Sequence, residues 1–176
     1  SKFIAYCFPA VKVDEVNEKL LSVRKLNPKA RHHCYAYRIG IDKNNFRAND
    51  DGEPSGTAGK PILGQIDSFG LTNVVVIVVR YFGGVLLGTG GLINAYREAA
   101  KDALVKATIV ERKLTYTIQL NFDYSLLPEL MTLIKRLEIK MIDHDYTENC
   151  FVTLIANKKQ IEKLKELRGV RISIGN

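Results

Sequence analysis

From Lys2 to Ala10, Phe3, Ala5 and Cys7 occupy alternate positions, a spacing that predicts a strand. Val16, Leu20, Val23 and Leu26 then recur every three or four residues, predicting a helix from Val13 to Leu26 that Asn27-Pro28 stops. Cys34 to Gly40 alternates again, with Tyr35, Tyr37 and Ile39 set against Cys34, Ala36 and Arg38. A polar loop, Asn49 to Lys60, precedes a short helix expected over Pro61 to Phe69. Asn73 to Phe82 is a nearly continuous apolar run, the pattern of a strand buried on both faces. A Gly-rich turn leads into a helix expected from Leu92 to Lys106. Its apolar stripe is Leu92, Ala95, Tyr96, Ala99, Ala100, Ala103 and Leu104.

The rest of the chain is more regular. Leu114, Tyr116, Ile118 and Leu120 alternate with Thr115, Thr117 and Gln119, the mark of a half-buried strand. Leu126, Leu127, Leu130, Met131, Ile134 and Leu137 predict an amphipathic helix. Glu138 to His144 and Cys150 to Ala156 predict a hairpin through Tyr146 to Asn149. Ile161, Leu164 and Leu167 predict a helix ended by Gly169, and Val170, Ile172 and Ile174 a last strand. The order βαββαβ is the split pattern of ferredoxin-like folds. One sheet face would stay free of helices and carry Thr115, Thr117 and Gln119, and it bears no RNA-recognition signature of the basic-Gly-aromatic kind. The fold class expected is α+β.

Composition divides the chain. Ten of 13 Gly lie between Gly52 and Gly91, so two domains are expected, residues 1–107 and 108–176. A length of 176 residues fits either one large domain or two small ones. Net charge is +7, and residues 1–107 hold 15 Lys and Arg against 10 Asp and Glu. That excess suits a polyanion, anionic metabolites or an acidic protein, or serves solubility alone. Three Cys do not make a disulfide scaffold and read as reduced thiols of a cytoplasmic protein. The longest apolar run, Val74 to Val79, falls far short of the roughly 18 residues of a membrane helix. No signal peptide is read, and the first residue, Ser1, suggests that a short stretch precedes it.

Four familiar motifs fail on residue type or spacing. Gly59-Lys60 lacks both the earlier Gly of a phosphate-binding P-loop, where Pro54 stands, and its following Ser or Thr, where Pro61 stands. Ser55-Gly56 lacks the Gly of a nucleophile elbow, having Glu53 there. The dinucleotide fingerprint fails at Ile93. His32 and Cys34 would share a strand face while His33 points away, which is too few ligands for zinc. Asp50, Asp51 and Glu53 either hold a hard cation or do acid–base work, or they shape a turn with Pro54 and Gly56. Gly88, Thr89, Gly90 and Gly91 open a helix, where free amides favour an anion and Thr89 could cap; the same glycines also suit tight turns.

The segments His32-His33-Cys34-Tyr35-Ala36-Tyr37, Arg47-Ala48, Asp50 through Gly59, Gly70 through Asn73, Val79 through Gly84, Leu87 through Leu92 and Ala95-Tyr96 resemble the YigZ/Impact family. The resemblance covers about the first 107 residues. It implies a first domain similar to domain two of a small-subunit ribosomal protein and to domain IV of elongation factor G. It implies a ferredoxin-like second domain similar to domain V of that factor. Eukaryotic Impact relatives regulate translation initiation through a protein that activates an initiation-factor kinase. His32, His33, Asp51, Gly52, Glu53, Pro54, Thr57, Gly59, Tyr81, Gly83 and Gly84 are motif residues to which the resemblance assigns no role.

Charge, the Gly-rich helix start and the resemblance together point to a non-enzymatic RNA- or ribosome-associated protein with no cofactor or metal. Its phosphate contacts are expected at Arg31, Arg47, Lys60, Arg80 and Arg97, with the amides of Gly88 to Gly91, while Tyr81 and Phe82 either stack on bases or sit in the core. Two alternatives stand beside it. One is an enzyme on a phosphorylated or anionic small molecule, in which Asp51 and Glu53 handle a metal or proton, His33 assists and the Gly88 loop holds the anion, all converging in one cleft. The other is a protein-interaction module acting through the free sheet face.

Overall fold

A computed structural model describes residues 1–42, 44–147 and 150–175. The chain forms two compact units, residues 1–109 and 110–176. It is α+β throughout, with one antiparallel four-stranded sheet in each unit and five helices among the described residues.

The first sheet has the order β1-β4-β2-β3, from β1 (Lys2–Pro9), β2 (His32–Ile39), β3 (Asn45–Asn49) and β4 (Val74–Tyr81). β4 lies inside this order and is buried from Val75 to Arg80, as its unbroken apolar run required. On one face α2 (Gly59–Ser68) and α3 (Gly88–Lys106) pack Ile62, Ile66, Leu92, Tyr96, Ala100 and Leu104 against Cys34, Ala36, Val76 and Val78. On the other, α1 (Val13–Leu26) sets Val16, Leu20 and Val23 on Tyr37, Ile39, Val75, Ile77 and Val79. Leu26, counted with that stripe in the sequence, is exposed.

Three elements differ from expectation. β3 falls in the stretch between the strand at Cys34 and the polar loop, where no element was expected. It is an edge strand whose Asn45, Phe46 and Arg47 are exposed, so no apolar alternation marks it. α2 begins at Gly59, placing Pro61 in a first turn whose amides need no helical partner. α3 begins at Gly88 rather than Leu92. The first turn of a helix tolerates glycine because Leu92, Tyr96, Ala100 and Leu104 anchor the turns that follow.

The second unit runs β5 (Tyr116–Asn121), a 3-10 turn, α4 (Leu127–Arg136), β6 (Lys140–Asp145), β7 (Phe151–Ala156), α5 (Lys158–Lys165) and β8 (Arg171–Ile174), with sheet order β6-β7-β5-β8. Ile118, Leu120, Val152 and Leu154 meet Leu130, Ile134, Ile161 and Leu164 in one core. The opposite face carries the cross-strand pairs Thr117–Ile155 and Gln119–Thr153 together with Ser173 beside Gln119. Thr115, placed on that face from the sequence, precedes the strand. The expected hairpin turn includes Glu148 and Asn149, which lie outside the described residues. Among the described residues no helix is long and apolar enough to cross a membrane.

Candidate functional site

The chemistry gathers at one end of the first sheet, where β1 and β2 begin and β4 ends. Residues 50–58 fold around Asp50. Its carboxylate accepts hydrogen bonds from the amides of Gly56 (2.8 Å), Ala58 (3.0 Å) and Gly59 (2.8 Å). Its carbonyl accepts from the Glu53 amide at 2.9 Å. Burial pushes the Asp50 carboxyl up, yet the amides of Gly56, Gly59 and Ala58 together outweigh burial and hold it below the ordinary range. Thr57 closes the turn with its hydroxyl on the Pro54 carbonyl, 2.7 Å away. A Cβ at Gly59 would lie 2.4 Å from the Asn49 nitrogen, so this helix start approaches β3 too closely for any side chain. Asp51 (φ 42°) and Gly52 (φ 86°) are left-handed, which turns the chain back toward β2.

The neighbouring carboxylates are also engaged. Asp51 accepts from the His33 amide at 2.7 Å and pairs with Arg24 at 3.3 Å. His32 and His33 point to opposite faces, as their adjacency requires. The His32 ring meets the Asp51 carbonyl at 2.8 Å and stands 3.9 Å from Glu53. His33 is buried, its Nε2 has no hydrogen-bond partner among the described residues, and burial lowers its pKa against the opposing pull of Asp51. Glu53 is buried and receives two bonds from the buried Arg80 guanidinium, at 2.7 and 2.9 Å. It also accepts the Tyr96 hydroxyl at 2.7 Å. The Cys34 thiol donates to the Asp50 carbonyl at 3.0 Å, and its sulfur lies 3.3 Å from the Tyr96 hydroxyl. Residues 34, 53, 80 and 96 thus tie β2, the loop, β4 and α3 together. Among the described residues no group of three or more His, Cys, Asp or Glu is placed to hold a metal ion.

Burial pushes the Cys34 thiol up to about 12, and its hydrogen bond to Tyr96 offsets only part of that rise. The native protein should therefore label at Cys34 at least about 100-fold more slowly than the unfolded chain at pH 8, as peptide mapping would read. Equal rates would show that the network is open.

The five cations expected to contact phosphate divide. Arg31, Arg47, Lys60 and Arg97 are exposed. The side chains of Arg31, Arg47 and Lys60 make no hydrogen bond or ion pair among the described residues, and Arg97 reaches only Asn94 at 3.3 Å. Arg80 is different. Its guanidinium is enclosed, held by Glu53, and lies 5.5 Å from the Phe82 ring. The parity of β4 explains this, because Arg80 continues the inward face of Val76 and Val78. Arg80 is accordingly a structural cation. Among the described residues Thr89 makes no capping bond, and α3 opens from Leu87 without a side-chain cap. Gly88 to Gly90 are exposed, and Gly91 half-buried. Tyr81 packs on the α1 face and donates to Asn27 at 2.9 Å, while Phe82 is exposed. A Cβ at Gly83 would meet Ser1, and Gly84 is left-handed. No hydrogen bond or ion pair joins residues 50–58 to residues 82–91 among the described residues.

Sequence reasoning missed the parts played by Arg24, Cys34 and Tyr96 in this cluster. Tyr96 was legible as core, but the need of its buried hydroxyl for a partner was the unused signal.

The Impact N-terminal domain family matches residues 1–104, and the chain belongs to that family. It is 36% identical over 160 residues to the IMPACT family member YvyE of Bacillus subtilis, covering 90% of this chain and 74% of that protein. It is 38% identical over 148 residues to the IMPACT family member YigZ of Escherichia coli, covering 83% and 72%. Human Protein IMPACT is 39% identical over 94 residues, which is 50% of this chain and 28% of that one. A crystal structure titled only as a hypothetical protein aligns with a TM-score of 0.68 at 31% identity, covering 99% and 88%.

Proposed function

We propose that this protein is a non-enzymatic, cytoplasmic RNA- or ribosome-associated member of the Impact family that acts on translation. One observation carries the reading. The acidic groups of the conspicuous loop are satisfied internally, while Arg31, Arg47, Lys60 and Arg97 stand exposed. The first unit therefore turns its excess positive charge outward. Free amides at the start of α3 add to the surface an anion would meet. The strand order β6-β7-β5-β8 with two helices on one face supports a ferredoxin-like second unit. The first unit is proposed to be similar to domain two of the small-subunit ribosomal protein, which would suit a ribosomal surface.

Binding to structured RNA and to ribosomal subunits across a salt series tests this, with heat-denatured protein as control. Saturable binding that falls steeply with salt is expected. Each of Arg31→Ala, Arg47→Ala, Lys60→Ala and Arg97→Ala should lower the slope of log affinity against log salt by about one. No binding at low salt, or four unchanged slopes, would overturn the reading.

A further inference from the structure

A groove of about 370 Å³ runs between α1 and the β2–β3 ribbon, on the face away from α2 and α3. We propose that it binds one unstacked nucleotide. Tyr35 forms the floor and pairs directly with Asn49 across the ribbon. One stripe of α1 supplies Asn17, Leu21 and Arg24 to the wall, and Asp51 closes the end.

The polar groups here have unused capacity. The Tyr35 hydroxyl and the Asn17 amide make no hydrogen bond among the described residues. Asn49 uses only its oxygen, which accepts from the Asp51 amide at 2.9 Å, so its two N–H donors are free. Arg24 holds Asp51 through one nitrogen at 3.3 Å and is about half exposed (51%), leaving its other donors outward. Arg47 follows on the same face of β3, opposite Tyr37, and is exposed and unpaired among the described residues.

These groups match a nucleotide part by part. A flat ring stacks on Tyr35 beside Leu21. Its edge offers acceptors to the Asn17 and Asn49 amides and an N–H donor to the remaining lone pairs of Asp51. Its phosphate meets Arg24 and Arg47, in the planar fork geometry that guanidinium prefers. Asp51 does not repel that phosphate strongly, because Arg24 and the His33 amide already share its charge. The volume falls in the usual range for small-ligand sites, about 300–1,000 Å³. The nucleotide can come from single-stranded RNA or from the free pool. Only the first source rests on the function proposed above.

Calorimetric titration with the four nucleoside monophosphates, a short unstructured RNA and ribose 5-phosphate separates the possibilities. Binding of the monophosphates or the RNA is expected, with ribose 5-phosphate at least tenfold weaker because it lacks the ring. Tyr35→Leu keeps an apolar floor without a stacking face and should weaken binding about tenfold. Asn17→Ala, at an exposed position, should weaken it severalfold, and Lys106→Ala, remote from the groove, should change nothing. Monophosphate binding alone assigns a free nucleotide, and RNA binding alone assigns a strand. Ribose 5-phosphate binding as tightly as the monophosphates would overturn the proposal, and so would affinities unchanged in both groove variants. RNA binding that survives both variants would remove the groove and leave the proposed function standing. Monophosphate binding that both variants weaken, without binding of structured RNA or ribosomal subunits in the salt series, would keep the groove and remove the proposed function.

Discussion

Glu53→Ala is expected to destabilise the first unit by about 3–5 kcal/mol, the usual cost of leaving one buried charge without its partner. Arg80 is 5% exposed, and Glu53 meets it through two hydrogen bonds, at 2.7 and 2.9 Å. Removing the carboxylate also leaves the Tyr96 hydroxyl without its 2.7 Å acceptor, in a site closed to water. The double variant Glu53→Leu with Arg80→Met removes both charges and should be more stable than Glu53→Ala alone. Urea unfolding followed by circular dichroism reads both. A loss below about 1 kcal/mol in Glu53→Ala would mean that the pair is solvated and that Arg80 is available to a ligand after all.

Asp50→Ala is the second large effect, expected at about 3 kcal/mol. Three amides, of Gly56, Ala58 and Gly59, lose their acceptor together, and each such loss is worth roughly 1 kcal/mol or more. Hydrogen exchange at those three amides should accelerate far more than in α1, because the loop opens while the sheet persists. The pH dependence has a definite sign. The folded carboxyl lies below the ordinary range, so the unfolded chain takes up the proton first. The stabilisation is complete above the ordinary carboxylate value and disappears as pH falls through the lower folded value. Asp50→Asn should therefore flatten the acid limb of the stability curve. An unaltered acid limb would show that the amides do not hold this carboxylate.

Much of this was legible in the chain. The helix at Val13–Leu26 has three buried positions at regular spacing, and the run from Val74 to Tyr81 could only be an interior strand. The opposite orientations of His32 and His33 follow from adjacency on a strand. β3 was not legible, because none of its five residues is buried, and an edge strand without a buried face shows no apolar alternation. The start of α3 was missed because Gly88 to Gly91 carry poor helical propensity, which packing further along the helix overrides. At the site, the residue types of the loop were compatible with a turn or a cation site, and the three amides on Asp50 select the turn. Arg80, expected as a phosphate contact, is buried. The same alternation that puts Val76 and Val78 inward also buries Arg80, so the signal was present in its parity. Arg24 carried no such signal. Its tie to Asp51 spans 27 positions and depends on how α1 crosses the sheet.

The central claim is that the outward cations of the first unit hold a polyanion while Asp50, Asp51 and Glu53 of its acidic loop are neutralised within. The most direct test is the salt slope of RNA binding for the variant in which Arg31, Arg47, Lys60 and Arg97 are all alanine, compared with the unaltered protein. A slope smaller by about four, with unfolding midpoint nearly unchanged, is the expected result. An unchanged slope in a folded quadruple variant would contradict the claim and place any RNA contact elsewhere on the chain.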